Sequence, residues 1–180
     1  MSGTDEQLAR AAGRGDRQAL RCLLERHHDT AFRFAYRLLG SRADAQDVAQ
    51  EVLMRIVSHV GNFRGDSRFS TWLYQLALNA CRDHRRRQVR LRDMQQGFAA
   101  VAEAERADWA DSEARLRWLY LALDQLKPDL KETALLILAE EVTQDDAATI
   151  LGISAGTVAW RMSEVKKRLR AMADHDHERL

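Results

Sequence analysis

The stretch Gly61–Arg92, GNFRGDSRFSTWLYQLALNACRDHRRRQVRLR, is the most informative part of the chain for both fold and chemistry. It opens with a loop, Asn62 to Phe69, in which phenylalanines stand among short polar and charged residues. Ser70 or Thr71 can cap the helix that follows by accepting a hydrogen bond from a free amide of its first turn. Apolar residues then recur at helical spacing and predict a buried face, at Trp72, Leu73, Leu76, Ala77, Ala80 and Cys81.

Another face of that helix is polar and becomes strongly basic toward its end. Six arginines lie between Arg82 and Arg92, against the single acid Asp83. This pattern suits single-stranded nucleic acid, because arginines hold phosphates while an aromatic, polar loop can receive an unstacked base. Gln75, Asn79, Arg82 and Arg86 lie on this face, one turn apart. The full set of candidate nucleic-acid-binding residues is Arg64, Asp66, Ser67, Phe69, Asn79, Arg82 and Arg86.

The alternative interpretation is a solvated basic face beside a loop whose aromatic residues belong to the core. For Trp72 the core position is favoured, since it lies in the apolar stripe. For the arginines the nucleic-acid interpretation is favoured, because six like charges repel one another unless a polyanion or acids neutralise them.

Composition predicts a mostly helical protein of one or two small domains. The chain has 180 residues, 46% of them hydrophobic and 31% charged, with one proline. The net charge of +1 conceals a segregation: residues 1–92 hold 17 Lys or Arg against 10 Asp or Glu, whereas residues 93–113 hold one Arg against six acids. Basic patches, rather than the overall charge, therefore carry the nucleic-acid prediction.

The sequence favours neither a metal site nor a membrane span. Cys22 and Cys81 lie far apart among apolar helix positions, which is typical of buried free thiols in a reducing cytoplasm. Neither cysteine has a second Cys or a His at zinc-finger spacing, and adjacent histidines such as His27 and His28 point away from each other on a helix. The tail Asp174-His175-Asp176-His177 can bind a metal weakly, but a frayed, solvated terminus is favoured. The longest apolar run, Ala134 to Ala139, is too short to cross a bilayer. We expect a cytoplasmic protein without a cofactor and without membrane insertion.

Capping signals divide the first 60 residues into three helices. Thr4 with Gln7 forms a capping box, Asp16 caps a second helix that Gly40 ends, and Ser41 begins a third. His27, His28 and Asp29 interrupt the apolar stripe of the second helix and indicate a bend there. The third helix has an apolar set that includes Val57, and a polar ridge at Asp47, Gln50, Glu51 and Arg55. From chemistry alone that ridge is an exposed surface.

The last third of the chain predicts a helix-turn-helix. Ser112 begins this second domain, after an acidic linker over residues 93–111. One helix ends before Lys127-Pro128, a second covers 129–140, and a short helix capped by Thr143 ends at Leu151-Gly152. A helix capped by Ser154 follows and runs through Ala173, with its first turns placed to enter the major groove. The candidate DNA-binding residues are Ser154, Thr157, Trp160, Arg161, Lys166, Lys167 and Arg168, the last three for phosphates.

Two segments resemble one protein family. FRGDSRFSTWLYQLALNAC, preceded by DAQDVAQEVLMRIVSHVGN, resembles region 2 of bacterial sigma factors of the extracytoplasmic-function (ECF) type, and TQDDAATILGISAGTVAWRMSEVKKRLR resembles their region 4. The resemblance implies an all-helical protein with region 2 at 1–92, a linker at 93–111 and region 4 at 112–180. It also implies that Asp47, Gln50, Glu51 and Arg55 face core RNA polymerase, that the loop and basic helix capture and open the −10 promoter element, and that the last helix holds the −35 element.

The implied function is promoter recognition for bacterial core RNA polymerase, with no catalysis by this chain and with an anti-sigma factor as a regulatory partner. Ala159 and Trp160 depart from the family's usual basic and small polar residues, which leaves Arg161, with Thr157 and Ser163, as the main candidates for polar base reading. Trp160 can face DNA or turn into the core. Two other functions stay open from the residues: a free-standing helix-turn-helix regulator, and a helical adaptor whose basic patches bind acidic protein.

Overall fold

The structure is a computed structural model that describes residues 3–94 and 114–177, with side chains described for 3–91 and 118–174. Within these ranges the chain forms helices and turns and no strand, so the predicted all-α class is confirmed. Two compact units divide the chain, unit 1 at Met1–Glu105 and unit 2 at Arg106–Leu180. Their boundary falls within the segment predicted as a linker, most of which lies outside the described residues.

Over residues 3–94, unit 1 forms α1 at Asp5–Gly13, α2 at Arg17–Leu39, α3 at Arg42–His59 and α4 at Phe69–Met94, with a 3-10 turn at Val60–Asn62 before the loop that leads into α4. The predicted caps are confirmed at Thr4, Asp16 and Ser41, each of which accepts from a backbone amide of its helix. Helix α2 runs unbroken from Arg17 to Leu39, through the residues at which a bend was predicted. Helix α4 continues two residues into the segment predicted as linker.

The core of unit 1 lies between α2, α3 and α4, because each of these helices turns an apolar face inward. Burying a large apolar side chain contributes about 1.5–3 kcal/mol, and the fully buried set includes Leu23, Phe34, Val48, Val52, Ile56, Phe69, Leu73 and Leu78. Cys81 is also buried, as predicted, whereas Cys22 is only partly buried; neither forms a disulfide. Because the apolar faces of α3 and α4 are buried in this core, the opposite faces of the two helices are exposed to solvent.

The start of α4 differs from the prediction. The helix begins at Phe69, where the Arg68 carbonyl accepts from the Trp72 amide at 3.2 Å, so Ser70 and Thr71 already lie in the first turn. In place of a cap from Ser70 or Thr71, the Phe69 amide donates to Glu6 Oε1 of α1 at 3.0 Å. That bond is the main reason why the pKa of Glu6 is lowered. A carboxylate is favourable at a helix N-terminus, and here it comes from a distant part of the chain.

Unit 2 contains α5 at Ala114–Asp124, α6 at Pro128–Ala134, α7 at Gln144–Leu151 and α8 at Ala155–His177, with a π-helical turn at Leu135–Ala139 after α6. The helix predicted over 129–140 is thus α-helical only as far as Ala134, because the Glu140 amide donates to the Leu135 carbonyl five residues back. Leu123, Leu135, Leu136, Val158 and Val165 form the centre of the core. Thr143 caps α7 as predicted, and Gly152 ends it with a left-handed φ of 69°.

Candidate polymerase and nucleic-acid interfaces

The loop before α4 presents its polar side chains outward. Arg64 and Asp66 are exposed and Ser67 is half-buried. Gly65 has a φ of 80°, a left-handed conformation that a residue with a side chain adopts only with strain. Three of the predicted nucleic-acid-binding residues therefore lie together on a solvent-facing turn of the chain.

Phe69 does not lie on that surface. Its relative exposure is 0%, and its ring centroid lies 4.9 Å from that of His27, 5.7 Å from Phe63 and 5.5 Å from Trp72. These separations are typical of packed aromatic clusters. The prediction that Phe69 is placed to meet an extruded base is wrong, because its neighbours from α2, the loop and α4 enclose the whole ring. Trp72 and His27 are the half-buried members of the cluster, and Phe63 is buried with Phe69.

The polar face of α4 is present as predicted. Asn79 and Arg86 are exposed and Arg82 is half-buried, and their spacing places them on one side of the helix. Arg86 donates through Nη2 to Asp83 Oδ1. Arg86 thus meets solvent with its charge partly compensated by an acid one turn back.

An ion-pair network joins this basic segment to α3. Arg55 Nη2 donates to Glu51 Oε1 at 2.5 Å and to Asp83 Oδ2 at 2.9 Å, and Arg87 Nη2 donates to Glu51 Oε2 at 2.7 Å. We call Glu51, Arg55, Asp83, Arg86 and Arg87 the α3–α4 network. The mutual repulsion of the arginines is therefore relieved in part by two acids of the chain itself, one of them on the neighbouring helix.

The network sets the charge states of its acids. Burial alone would raise the pKa of Glu51, but hydrogen bonds from Arg87 and Arg55 outweigh it and leave that pKa lowered. Hydrogen bonds from Arg55 and then Arg86 lower the pKa of Asp83. Arg55, Asp83, Arg86, Arg87 and Arg90 line an open groove at this place. Four guanidinium groups and one carboxylate give the groove a positive character that suits phosphate.

The ridge predicted on α3 divides into two parts. Asp47 and Gln50 are exposed, whereas the Glu51 and Arg55 side chains are only 27% and 25% exposed and turn toward α4. The outward face continues instead with apolar residues: Met54 is 70% exposed and Val57 is 51% exposed. The sequence placed Val57 with the buried set. The spacing 47, 50, 54 and 57 would have revealed one outward stripe.

Helices α7 and α8 form the predicted helix-turn-helix. Ser154 Oγ accepts from the Thr157 amide at 3.1 Å and lies 2.8 Å from Thr157 Oγ1, so each hydroxyl already has a partner within the cap. Lys166 and Lys167 are exposed, and Arg168 donates to Glu164 Oε1 at 2.9 Å. The first turns of α8 leave an outward surface with few free hydrogen-bond donors.

Trp160 and Arg161 occupy opposite environments. Trp160 is 62% exposed, which answers the question that the sequence left open. The Arg161 side chain is only 16% exposed and turns toward α6, with Nη1 3.5 Å from the Asp129 carbonyl and from Thr133 Oγ1. Its Nε is buried without a hydrogen-bond partner. The role of Arg161 as a polar base reader stays a prediction, but in this structure its guanidinium lies against α6 and does not point outward with Trp160.

The described residues contain neither a metal-binding cluster nor a membrane-spanning helix. In the described part of the chain no group of three His, Cys, Asp or Glu side chains could hold a metal ion; the side chains of His175 and His177 lie outside that part. His27 is engaged with Asp5 Oδ2 at 3.0 Å. No helix among the described residues is both long enough and apolar enough to cross a membrane.

Comparison with known proteins identifies the family. Residues 23–91 match Sigma-70 region 2 and residues 116–169 match Sigma-70, region 4. The RNA polymerase sigma-H factor of Pseudomonas aeruginosa is 31% identical over 92% of this chain and 91% of its own length. The ECF RNA polymerase sigma factor SigE of Mycolicibacterium smegmatis is 30% identical over 87% of this chain and 62% of its own.

Two solved structures extend the similarity to the fold. CnrH in complex with the cytosolic domain of CnrY has a TM-score of 0.73 and 26% identity, over 96% of this chain and 98% of that one. The sigma factor RpoE in complex with the anti-sigma factor NepR from Bartonella quintana has a TM-score of 0.71 and 25% identity, over 86% of this chain and 96% of that one. The chain therefore belongs to the sigma-70 family, as a non-enzymatic sigma factor of the ECF type that directs promoter recognition by RNA polymerase.

Proposed function

We propose that unit 1 docks on core RNA polymerase through α3 and opens the −10 element with the loop and α4, while α7 and α8 hold the −35 element. The functional division is region 2 at 1–92, a linker at 93–111 and region 4 at 112–180. One observation carries the proposal most directly: an exposed acidic and apolar face on α3 lies beside a basic groove on α4, and the α3–α4 network joins them.

The polymerase-binding surface is the stripe Asp47, Gln50, Met54 and Val57. Exposed apolar side chains in a polar surround are typical of an interaction site, and Met54 is the most exposed large apolar residue described in the chain. Glu51 and Arg55 lie at the edge of this stripe and act chiefly by holding α3 to α4. Asp47 and Gln50 supply the polar contacts that fix orientation.

The −10 surface consists of the loop residues Arg64, Asp66 and Ser67, together with Asn79, Arg82 and Arg86 on α4. Arginines of the groove hold phosphates, and the short polar side chains of the loop form hydrogen bonds with an exposed base edge. Trp72 is the aromatic residue beside the loop with accessible surface and takes the stacking role predicted for Phe69. Unstacking a base costs a few kcal/mol, which these contacts offset.

The −35 surface is the outward face at the start of α8. Trp160 supplies a large apolar surface and one indole N–H, which favours contact with thymine methyl groups or sugars over a polar reading of guanine. Ser154 and Thr157 lie at the helix N-terminus, where a phosphate is bound favourably. Lys166, Lys167 and Arg168 position the helix through phosphates.

The partners follow from this arrangement. Core RNA polymerase and promoter DNA are the two required ones, and the action takes place in the cytoplasm, where bacterial polymerase works. An anti-sigma factor is the third partner. In the two similar solved structures, CnrH is bound to the cytosolic domain of CnrY, and the sigma factor RpoE is bound to the anti-sigma factor NepR; the second complex supports the proposal.

The test is co-purification with core polymerase. Asp47→Lys combined with Met54→Lys should abolish binding, because it reverses one charge and places another in the apolar part of the stripe. Both side chains are exposed, so stability should change by no more than about 0.5 kcal/mol each. The matched control is Glu25→Lys, an exposed acid on α2 whose ion pair with Arg21 is solvent-accessible. Polymerase binding by the double variant at the wild-type level would contradict the assignment of this face.

A further inference from the structure

One face of α1 runs along the whole of the segment that leads into α4. Glu6, Arg10 and Gly13 occupy positions i, i+4 and i+7, which share one side of a helix. Each contacts a different point of residues 60–69. Helix α1 lies outside residues 23–91, the part that matches region 2, so the match assigns it no role.

The contacts are spaced from one end of the segment to the other. At its start, a Cβ added to Gly13 would lie 3.2 Å from both the Gly61 Cα and the Val60 carbonyl oxygen, so two backbones meet there. In the middle, a Cβ at Gly65 would lie 2.6 Å from Arg10 Nη2, so the guanidinium covers the turn. At its end, Glu6 Oε1 accepts from the Phe69 amide at 3.0 Å.

Helix α1 is itself fixed to the core. Asp5 accepts from Arg26 Nη1 at 3.0 Å through Oδ1 and pairs with His27 Nε2 at 3.0 Å through Oδ2. Arg26 also donates to the Gly3 carbonyl at 3.0 Å. The His27 ring packs on the Phe69 ring. Helix α2 thus holds α1 from one side and the end of the loop from the other, which makes α1 a rigid support.

We propose that α1 positions the loop for promoter opening, with Glu6 and Arg10 as positioning residues. The inference rests on the proposed role of the loop in capturing a base. The two ends of the loop are held by backbone hydrogen bonds, from the Phe63 amide to the Val60 carbonyl at 3.1 Å and from the Trp72 amide to the Arg68 carbonyl at 3.2 Å. Between these ends lie a left-handed glycine and, among the described contacts, a weak hydrogen bond from Ser67 Oγ to the Arg68 carbonyl at 3.5 Å. The middle of the loop is therefore supported chiefly by α1. A loop held in the binding conformation before DNA arrives loses less conformational entropy on binding, which strengthens the contact.

The experiment compares Glu6→Ala with Glu6→Gln in the full chain. Alanine removes the acceptor of the Phe69 amide, whereas the glutamine carbonyl keeps an acceptor at the same place and should rescue. Glu25→Ala is the matched control, since Glu25 pairs only with exposed Arg21 among the described contacts. Arg10→Ala is a second variant at an exposed position, which keeps the inference testable if Glu6→Ala folds poorly.

Two measurements are made. Hydrogen–deuterium exchange of the peptides covering 60–72 should become faster in Glu6→Ala and in Arg10→Ala, and should stay near wild type in the other two variants. In the holoenzyme, Glu6→Ala should slow strand opening on duplex promoter about tenfold, the effect of losing one hydrogen bond to a charged group. A pre-opened bubble template should restore most of the rate, and polymerase binding should be unchanged.

The outcomes distinguish the positioning of the loop by α1 from the role of the loop in promoter opening. Unchanged exchange in both Glu6→Ala and Arg10→Ala would overturn the inference, because α1 would not hold the loop. Faster exchange with unchanged opening would show that α1 holds the loop without assisting promoter opening, which overturns the positioning role and leaves the proposed role of the loop side chains intact. An equal loss on duplex and bubble, with lowered thermal stability, would mean general unfolding and would also overturn the positioning role.

Discussion

Replacing Phe69 provides the sharpest test of the corrected site. The ring is 0% exposed and contacts the rings of His27, Phe63 and Trp72. Phe69→Ala should destabilise unit 1 by about 3–5 kcal/mol, the usual cost of deleting a buried phenyl ring. Phe69→Leu keeps most of the volume and should cost less than about 1.5 kcal/mol. A base-stacking role would make both substitutions equally harmful to opening.

The assay pairs thermal unfolding with transcription on two templates. For a unit of this size each kcal/mol lowers Tm by about 4–8 °C, so the alanine variant should melt at least about 12 °C below wild type. Since total stabilities are about 5–15 kcal/mol, this loss is a large part of the total, and whatever activity is lost through unfolding should be lost equally on duplex and bubble. The leucine variant should transcribe from both templates at a rate close to wild type.

Asn79→Ala is the matched comparison, because Asn79 is exposed on the polar face of α4. Its stability should stay within about 0.5 kcal/mol of wild type, while opening of duplex slows and the bubble restores activity. The reasoning would be refuted if Phe69→Ala kept the wild-type Tm and showed an opening defect that the bubble repaired. That result would mean that Phe69 leaves the core and meets the base after all.

Three other predictions concern the remaining surfaces. Arg161→Ala should lower the Tm of unit 2 and leave the −35 sequence profile intact in a matrix of promoter mutations, since Arg161 is turned toward α6; a relaxed preference at one or two positions would restore its role as reader. Trp160→Ala should alter that profile at thymine-containing positions, whereas Lys167→Ala should weaken binding to all −35 sequences alike and reduce the salt dependence of binding. An equal loss of affinity for all −35 sequences in the tryptophan variant would disprove the proposed apolar contacts of Trp160. Folding lowers the pKa values of Glu51 and Asp83 below their usual values of 4.5 and 3.8. Their contribution to stability is therefore present above those usual values and is lost as the pH falls through the lower folded-state pKa values. Glu51→Gln should flatten the fall of Tm with decreasing pH below about pH 4.5, and an unchanged dependence of Tm on pH would count against the network.

Much of the fold could be predicted because its signals are local. A side-chain cap and the glycine that ends a helix act within four residues, so Thr4, Ser41, Thr143 and Gly152 located helix ends correctly without knowledge of the rest of the chain. The helix-turn-helix and the region 2 segment followed in the same way. The all-α class, the ECF sigma-factor family and the function in promoter recognition were all within reach of the sequence.

The tertiary structure decided which way the side chains at the edge of an apolar stripe point. Phe69 and Arg161 stand where helical spacing allows either an inward or an outward position, and only the neighbours supplied by other helices make the inward position favourable. The Glu6 cap joins residues 63 apart in the chain, and the α3–α4 network joins Arg55 to Asp83 across 28. No pattern within one helix encodes such pairs, because their free energy arises only when packing of the core brings two distant segments to hydrogen-bonding distance.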